Sequence, residues 1–192
     1  MNMLRAFIAI EIPDEIQEAI FQKTAKIRLN LDRSIVRWVP TQNVHLTLKF
    51  LGDISPANLE ILMQMLKPEV GQHQPFTIDV GGLGSFPNPR RARVIWIGIQ
   101  APAGLDSLQR SIDTAAARLG YAIEARSFSP HLTIGRVNRH ISSTEQQQIR
   151  IALEETQVGS LGAARVEAVT LFRSDLQPNG AVYTPLFTTP LG

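Results

Sequence analysis

The chain has 192 residues, 44% of them hydrophobic and 19% charged, so it is long enough for one domain with a packed interior. It contains no cysteine, which excludes disulfides, thiolate metal sites and cysteine nucleophiles, and fits a reducing compartment. A formal net charge of +2 and a sequence pI near 9.3 exclude a polycation, leaving room for local phosphate sites only.

The N-terminal segment Met1 to Ile10 lacks the long apolar region and small-residue cleavage site of a secretory signal. No apolar run is long enough to span a bilayer. The expected location is therefore the cytoplasm, without a membrane partner. A strand is expected over about residues 3–11. Pro13 and Asp14 then open a helix, with Asp14 as N-cap and Gln17 completing a capping box. Ile16, Ile20 and Ile27 share one face of it. A short strand near Ile35 to Val39 ends at Pro40, and the next runs from about Val44 to Phe50.

Gly52-Asp53 predicts a turn. Ser55-Pro56 predicts a helix start, continued by Leu59, Leu62 and Leu66. Strands over about 76–81 and 93–99 follow, joined by a loop rich in Gly, Pro and Arg. Leu105, Leu108, Ile112, Ala115 and Leu119 give an amphipathic helix that Gly120 should stop. Strands are expected at Tyr121 to Ala125 and Phe128 to Val137. Ser142 and Glu145 form a capping box for a helix reaching about Glu155. Strands over about 165–172 and 181–187 complete the chain.

Two segments stand out in this order: His45-Leu46-Thr47-Leu48 and His131-Leu132-Thr133-Ile134. They hold two of the four histidines and lie 86 residues apart (131 − 45). The helix cap Ser55 follows His45 by 10 residues (55 − 45), and Ser142 follows His131 by 11 (142 − 131). These matched spacings read as an internal duplication of a helix–strand–strand–helix–strand–strand unit. Two such units should pack as lobes about a pseudo-two-fold axis. The two histidines would then face each other across a central groove.

Histidine is the side chain that gains or loses a proton near neutral pH. A pair can take a proton with one ring and give one with the other. Strand alternation puts His45, Thr47 and Lys49 on one face, and Leu46, Leu48 and Phe50 in the core. It likewise puts His131 beside Thr133, with Leu132 and Ile134 buried. The threonine hydroxyls are candidate phosphate ligands, Thr47 and Thr133. Arg136 is a third, although its odd offset from His131 sends it to the opposite face unless a bulge or twist near Gly135 intervenes. Phe50, which stands where Arg136 stands in the second motif, is a candidate substrate contact, as are Arg90, Arg91 and Arg93. Trp38, Phe128 and Tyr183 could stack a base, but packing is the simpler role for each. His73 and His140 lack comparable surroundings and read as solvated loop residues. No carboxylate cluster at metal-binding spacing lies near either motif, so no metal and no cofactor is expected. Gly82-Leu83-Gly84-Ser85-Phe86-Pro87 is not a dinucleotide loop, because Pro87 stands at the third glycine and a strand follows.

The chain resembles the 2H phosphoesterases, and among them the RNA 2′,3′-cyclic phosphodiesterases, also called 2′-5′ RNA ligases. The resemblance rests on Leu4 to Ile10, Arg37 to Pro40, Asn43 to Gly52, Gly82 to Pro87, Arg93 to Trp96 and Phe128 to Arg136. It implies one domain over 1–192, an α+β bilobal fold with two pseudo-symmetric lobes of antiparallel sheet and helices around a central cleft. It implies hydrolysis of an RNA terminal 2′,3′-cyclic phosphate to a 2′-phosphomonoester, and reversible 2′-5′ ligation. His45 would be the general acid and His131 the general base, with Thr47, Thr133 and Arg136 on the phosphate. The implied partners are RNA ends bearing the cyclic phosphate, such as tRNA halves, with the chain acting as a monomer. Two rivals are a phosphodiesterase for a small nucleotide, ADP-ribose cyclic phosphate or a 2′-5′ oligoadenylate, and a non-catalytic RNA-end binder.

Overall fold

A computed structural model describes residues 3–177 and 180–192. It contains nine strands and four helices: β1 (Leu4–Glu11), α1 (Asp14–Asn30), β2 (Val36–Trp38), β3 (His45–Ile54), α2 (Leu59–Gly71), β4 (Phe76–Phe86), β5 (Val94–Gln100), α3 (Ala103–Arg118), β6 (His131–Val137), α4 (Ser143–Glu155), β7 (Ser160–Val166), β8 (Ala168–Gln177) and β9 (Gly180–Pro190). All described strands join one antiparallel sheet in the order β7-β4-β5-β6-β3-β1-β8-β9, with β2 also paired to β6.

This order is symmetric about its centre, where the two motif strands meet. β3 is flanked by β1, β8 and β9; β6 is flanked by β5, β4 and β7. The fold is the α+β, two-lobed arrangement expected, but each lobe draws strands from both halves of the chain. Duplication in the sequence therefore does not mean two consecutive lobes. The reason is pairing: β1 bonds to β3 and to the C-terminal β8, while β4 and β5 cross over to bond β7 and β6.

One apolar core joins the sheet to the helices. It includes Ile8, Ile10, Leu46, Ile95, Ile97, Leu132 and Ile134 from the strands. Ile16, Ile20 and Ile27 of α1, Leu62 and Leu66 of α2, Leu108 and Ile112 of α3, and Ile149 of α4 meet them. A side chain of this size contributes about 1.5–3 kcal/mol on burial. The opposite sheet face carries a second, small cluster of Phe7, Ala9 and Phe172 with Tyr183 against it.

Several local expectations hold. Ser142 and Glu145 form both bonds of the capping box. Ser55 accepts from the Ala57 N–H and opens a turn of 3-10 helix before α2. Gly120 adopts φ 92°, the left-handed stop after α3. Others are corrected. Asp14 is not the cap of α1; Pro13 holds that position, and Gln17 Nε2 donates to the Ile12 carbonyl instead. Gly52 does not end a strand but sits within β3, at φ 70°, paired with Ala6. Tyr121 to Ala125 form no strand, because the segment is tied to buried side chains rather than to a ladder. The Ala122 carbonyl accepts from Lys49, and the Glu124 N–H donates to Asp113. β4 runs on through Phe86, so the expected loop shrinks to a 3-10 turn at Pro89–Arg91.

Candidate active site

The two motifs meet through one cross-strand pair, Leu46 with Leu132, both fully buried. Antiparallel register about that pair sets His45 across from Thr133 and Thr47 across from His131. All four therefore lie on the face opposite the core, at the centre of the sheet, where directly opposed Cβ atoms lie about 4.5–5.5 Å apart. Residues remote in sequence thus become neighbours.

Within the motifs, both strands break their alternation at the same place, and β3 does so again at Leu51. On β3, Thr47 pairs with Ala9 and Lys49 with Ile8, leaving Leu48 as the extra residue of a bulge. On β6, Thr133 pairs with Trp96 and Gly135 with Ile95, leaving Ile134 extra. Two successive residues then point inward, and the next turns back to the groove. Leu48 and Lys49 are both buried, as are Ile134 and Gly135. The exposed residues that follow are Phe50 and Arg136. The expectation that Phe50 enters the core is thus overturned: 61% of it is exposed, on the histidine face beside Phe7. Lys49 is the residue that leaves that face. Arg136 reaches the groove because the bulge corrects its odd offset.

The inward Lys49 is neutralised. Its Nζ forms an ion pair with Asp113 of α3 and donates to the Ala122 carbonyl. Gly135 holds the equivalent place in β6. Trp38 packs there, and an added Cβ would come within 2.9 Å of its ring.

The two histidines are held alike. His45 Nδ1 lies 2.8 Å from the Asn43 carbonyl, and His131 Nδ1 lies 2.7 Å from the Ser129 carbonyl. Each carbonyl accepts the Nδ1–H and leaves Nε2 free for the groove. Their walls differ. His45 stacks on Phe7 at 4.6 Å between ring centroids and meets Tyr183 edge-on at 5.1 Å. Phe172 backs Phe7 at 5.2 Å. Among the described residues, Phe86 is the one aromatic ring paired with His131, edge-on at 4.9 Å, and Phe86 in turn leans on Trp96. Desolvation within the aromatic wall pushes the His45 imidazole down to about 4, against the hydrogen bond it donates to the Asn43 carbonyl, and the Arg136 charge adds to the lowering. Burial raises the Tyr183 phenol, while Arg136, Arg5 and Arg37 pull it the other way.

The remaining candidates make other contacts. Arg93 reaches the carbonyls of Asn138 and Arg139 at 3.4 and 3.5 Å, at the end of β6. Arg90 lines a cleft of about 400 Å³ with Ser143, Gln146, Gln147 and Arg150, none of them near the motifs in sequence. Arg91 lies in the same short turn, its N–H held by Asn88. Trp38 packs by donating to the Leu31 carbonyl. The aromatic wall of Phe7 and Phe172 escaped sequence reasoning; its signal is the unbroken apolar run Ala6 to Ile10, which is buried on both faces of β1. No group of three or more metal-ligating side chains occurs among the described residues.

The arrangement can place one tetrahedral anion between two imidazoles and two hydroxyls, with a guanidinium at the side. Comparison with known proteins gives the family of the chain. A model of the LigT-like phosphoesterases matches twice, at residues 10–96 and 97–183. A Methanothermobacter thermautotrophicus protein named RNA 2′,3′-cyclic phosphodiesterase is 35% identical over 185 residues, covering 95% of this chain and 96% of its own. One of the same name from Methanocaldococcus jannaschii is 34% identical, covering 94% and 96%. Among solved structures, Escherichia coli LigT with 3′-AMP superposes with TM-score 0.77 and 29% identity over 99% of both chains. A Thermus thermophilus protein superposes with TM-score 0.80 and 25% identity over 97% of both. With two repeats, two motif strands at the sheet centre and full-length similarity, the chain belongs to the LigT-like phosphoesterase family.

Proposed function

We propose that this protein is a metal-independent RNA 2′,3′-cyclic phosphodiesterase that opens the terminal cyclic phosphate to a 2′-phosphomonoester. The observation that carries the reading is the matched pair of imidazoles, each with Nδ1 held by a carbonyl and Nε2 free, set about the Leu46–Leu132 pair.

His131 Nε2 takes a proton from water as the water oxygen bonds to phosphorus. The bond from phosphorus to the 3′ oxygen breaks, and that oxygen takes the proton from His45 Nε2. The product keeps its phosphate on the 2′ oxygen and has a free 3′ hydroxyl. Thr47 and Thr133 donate to the non-bridging oxygens, and the Arg136 fork lies beside them. Acid and base catalysis each supply on the order of 10²–10⁴ in rate. His45 is neutral in the empty cleft at pH 7, because its pKa is pushed down to about 4. A phosphodiester anion beside it favours the imidazolium, so the acid is charged by the substrate it serves. If a 5′ hydroxyl of a second RNA replaces water, the same steps form a 2′-5′ linkage.

A small-nucleotide phosphodiesterase is the second reading, supported by the solved complex of the Escherichia coli relative with 3′-AMP. The deciding assay offers the purified protein RNA ending in a 2′,3′-cyclic phosphate and locates the phosphate in the product. A 2′-phosphate product is expected. A 3′-phosphate product, or no turnover of RNA alongside rapid turnover of ADP-ribose cyclic phosphate, would overturn the assignment.

A further inference from the structure

The cleft holds more positive charge than its reacting phosphate needs. A cyclic phosphodiester carries one negative charge, and Arg136 with one imidazolium already exceeds it. Two further arginines stand on the same face. Arg37 of β2 is the direct cross-strand partner of Arg136 on β6, and the flanking pair Val36–Val137 is buried, which turns both arginines to the groove. Arg5 of β1 lies two residues before Phe7, the ring stacked on His45. Strand alternation therefore gives Arg5 the groove face. Arg5, Arg37 and Arg136 are all exposed, and none has an ion-pair partner among the described residues. Asp53 is the cross-strand neighbour of Arg5 but forms no ion pair with it.

The three strands bring these charges around one phenol. Tyr183 of β9 packs edge-on against both Phe7, at 4.9 Å, and His45, at 5.1 Å. Three like charges converging with no carboxylate ion-paired to any of them among the described residues repel one another, and an anion relieves the repulsion. Guanidinium forks suit phosphodiester oxygens. A phenol O–H at the same place adds a donor.

Building on the cyclic phosphodiesterase reading, we propose that Arg37 and Arg5, with Tyr183, form a subsite for the phosphodiester next to the reacting terminal phosphate. The subsite engages only a substrate with a second backbone phosphate. It would make the protein select the ends of RNA chains over cyclic mononucleotides, without reading base sequence.

The test compares kcat/KM for a short RNA ending in a 2′,3′-cyclic phosphate with that for a 2′,3′-cyclic mononucleotide. The wild-type protein, Arg37→Gln, Arg37→Lys and the Arg5→Gln/Arg37→Gln double variant are assayed over a range of salt concentrations. Wild type should prefer the RNA. Arg37→Gln should lose roughly tenfold on the RNA, the size expected of one charge-assisted contact, with Arg37→Lys in between. The mononucleotide rate should stay within about twofold. The salt slope for the RNA should shrink by about 0.7 per arginine removed. Equal losses on both substrates would overturn the subsite, as would unchanged RNA turnover or a wild-type protein indifferent to chain length. A parallel assay with ADP-ribose cyclic phosphate, which carries a pyrophosphate, would overturn it if that substrate alone responded to the substitutions. Mononucleotide turnover without RNA preference would sink the subsite and leave the phosphodiesterase reading standing. Turnover of neither would sink both.

Discussion

Phe50 and Arg136 occupy equivalent places in the two motif strands, each five residues after its histidine and two after the extra residue of a bulge. The backbone there is nearly symmetric: the burial pattern of the first seven residues is the same in β3 and β6. The chemistry is not. One arm of the groove ends in an exposed aromatic ring beside the His45 wall, the other in a cation whose field reaches His45. A duplicated scaffold thus gives its two histidines unequal surroundings, which is what unequal roles as acid and base require.

Replacing either histidine with alanine should lower kcat by roughly 10²–10⁴ while the thermal unfolding profile stays close to wild type. The double variant should lose less than the product of the single losses, since the proposed mechanism has the two groups act in one step. Near-normal turnover by His45→Ala or His131→Ala would remove that residue from the mechanism.

The His45 ring should titrate near pH 4 in the free protein when followed by NMR. Bound 2′-nucleotide product, a phosphate anion at the same site, should move the midpoint upward. The sign for stability follows from the lowered value. The unfolded chain binds this proton near pH 6.5 and the folded chain only near 4, so the contribution is complete above 6.5 and is lost as pH falls toward 4. Wild type should therefore lose stability relative to His45→Asn across that window, by up to about 1.4 kcal/mol per pH unit. A free-protein midpoint near 6.5 would contradict the desolvated site.

Lys49→Met should destabilise the fold by about 3–5 kcal/mol, because it leaves the Asp113 carboxylate buried without its cation. Lys49→Met combined with Asp113→Leu should regain most of that loss in a denaturant titration. If the single and double variants were equally unstable, the ion pair would not be the reason Lys49 turns inward at the bulge.

Arg136→Gln should cost roughly tenfold to a hundredfold in kcat/KM on cyclic mononucleotide and RNA alike, as loss of a charge-assisted contact to the reacting phosphate. Gly135→Ala tests the same bulge by packing. Its new Cβ meets Trp38 and Val36 at 2.9 Å, so a loss of about 1–3 kcal/mol in stability is expected. An Arg136→Gln variant with unimpaired kcat/KM would show that the bulge serves the fold and not the substrate.

In the proposed mechanism the two imidazoles supply both proton transfers, so turnover should persist in excess EDTA. Loss of activity that magnesium or manganese restored would require a metal in the mechanism.

The chemistry was written in local sequence. Two His-x-Thr segments, their matched downstream caps and the Ser142–Glu145 box are short-range patterns, and short-range patterns survive without knowledge of the fold. The helices and the motif strands follow from them. What local pattern could not give was anything that depended on pairing partners. Strict alternation buried Phe50 and exposed Lys49, because a bulge is a mismatch between two strands and leaves no mark in either alone. For Arg136, Gly135 marked where a bulge could return the side chain to the groove, and the pairing places the bulge beside it, at Ile134. Tyr121 to Ala125 reads as a strand, yet its bonds go to Lys49 and Asp113, a pair 64 residues apart in sequence. The duplication suggested two consecutive lobes, whereas β8 joins β1 and β4 joins β7 across the halves. So the sequence alone determined which groups are the candidates for chemistry and on what kind of element they lie. Only the tertiary structure decided which of them meet, because strand order, register and bulges are set by long-range pairing and a shared core.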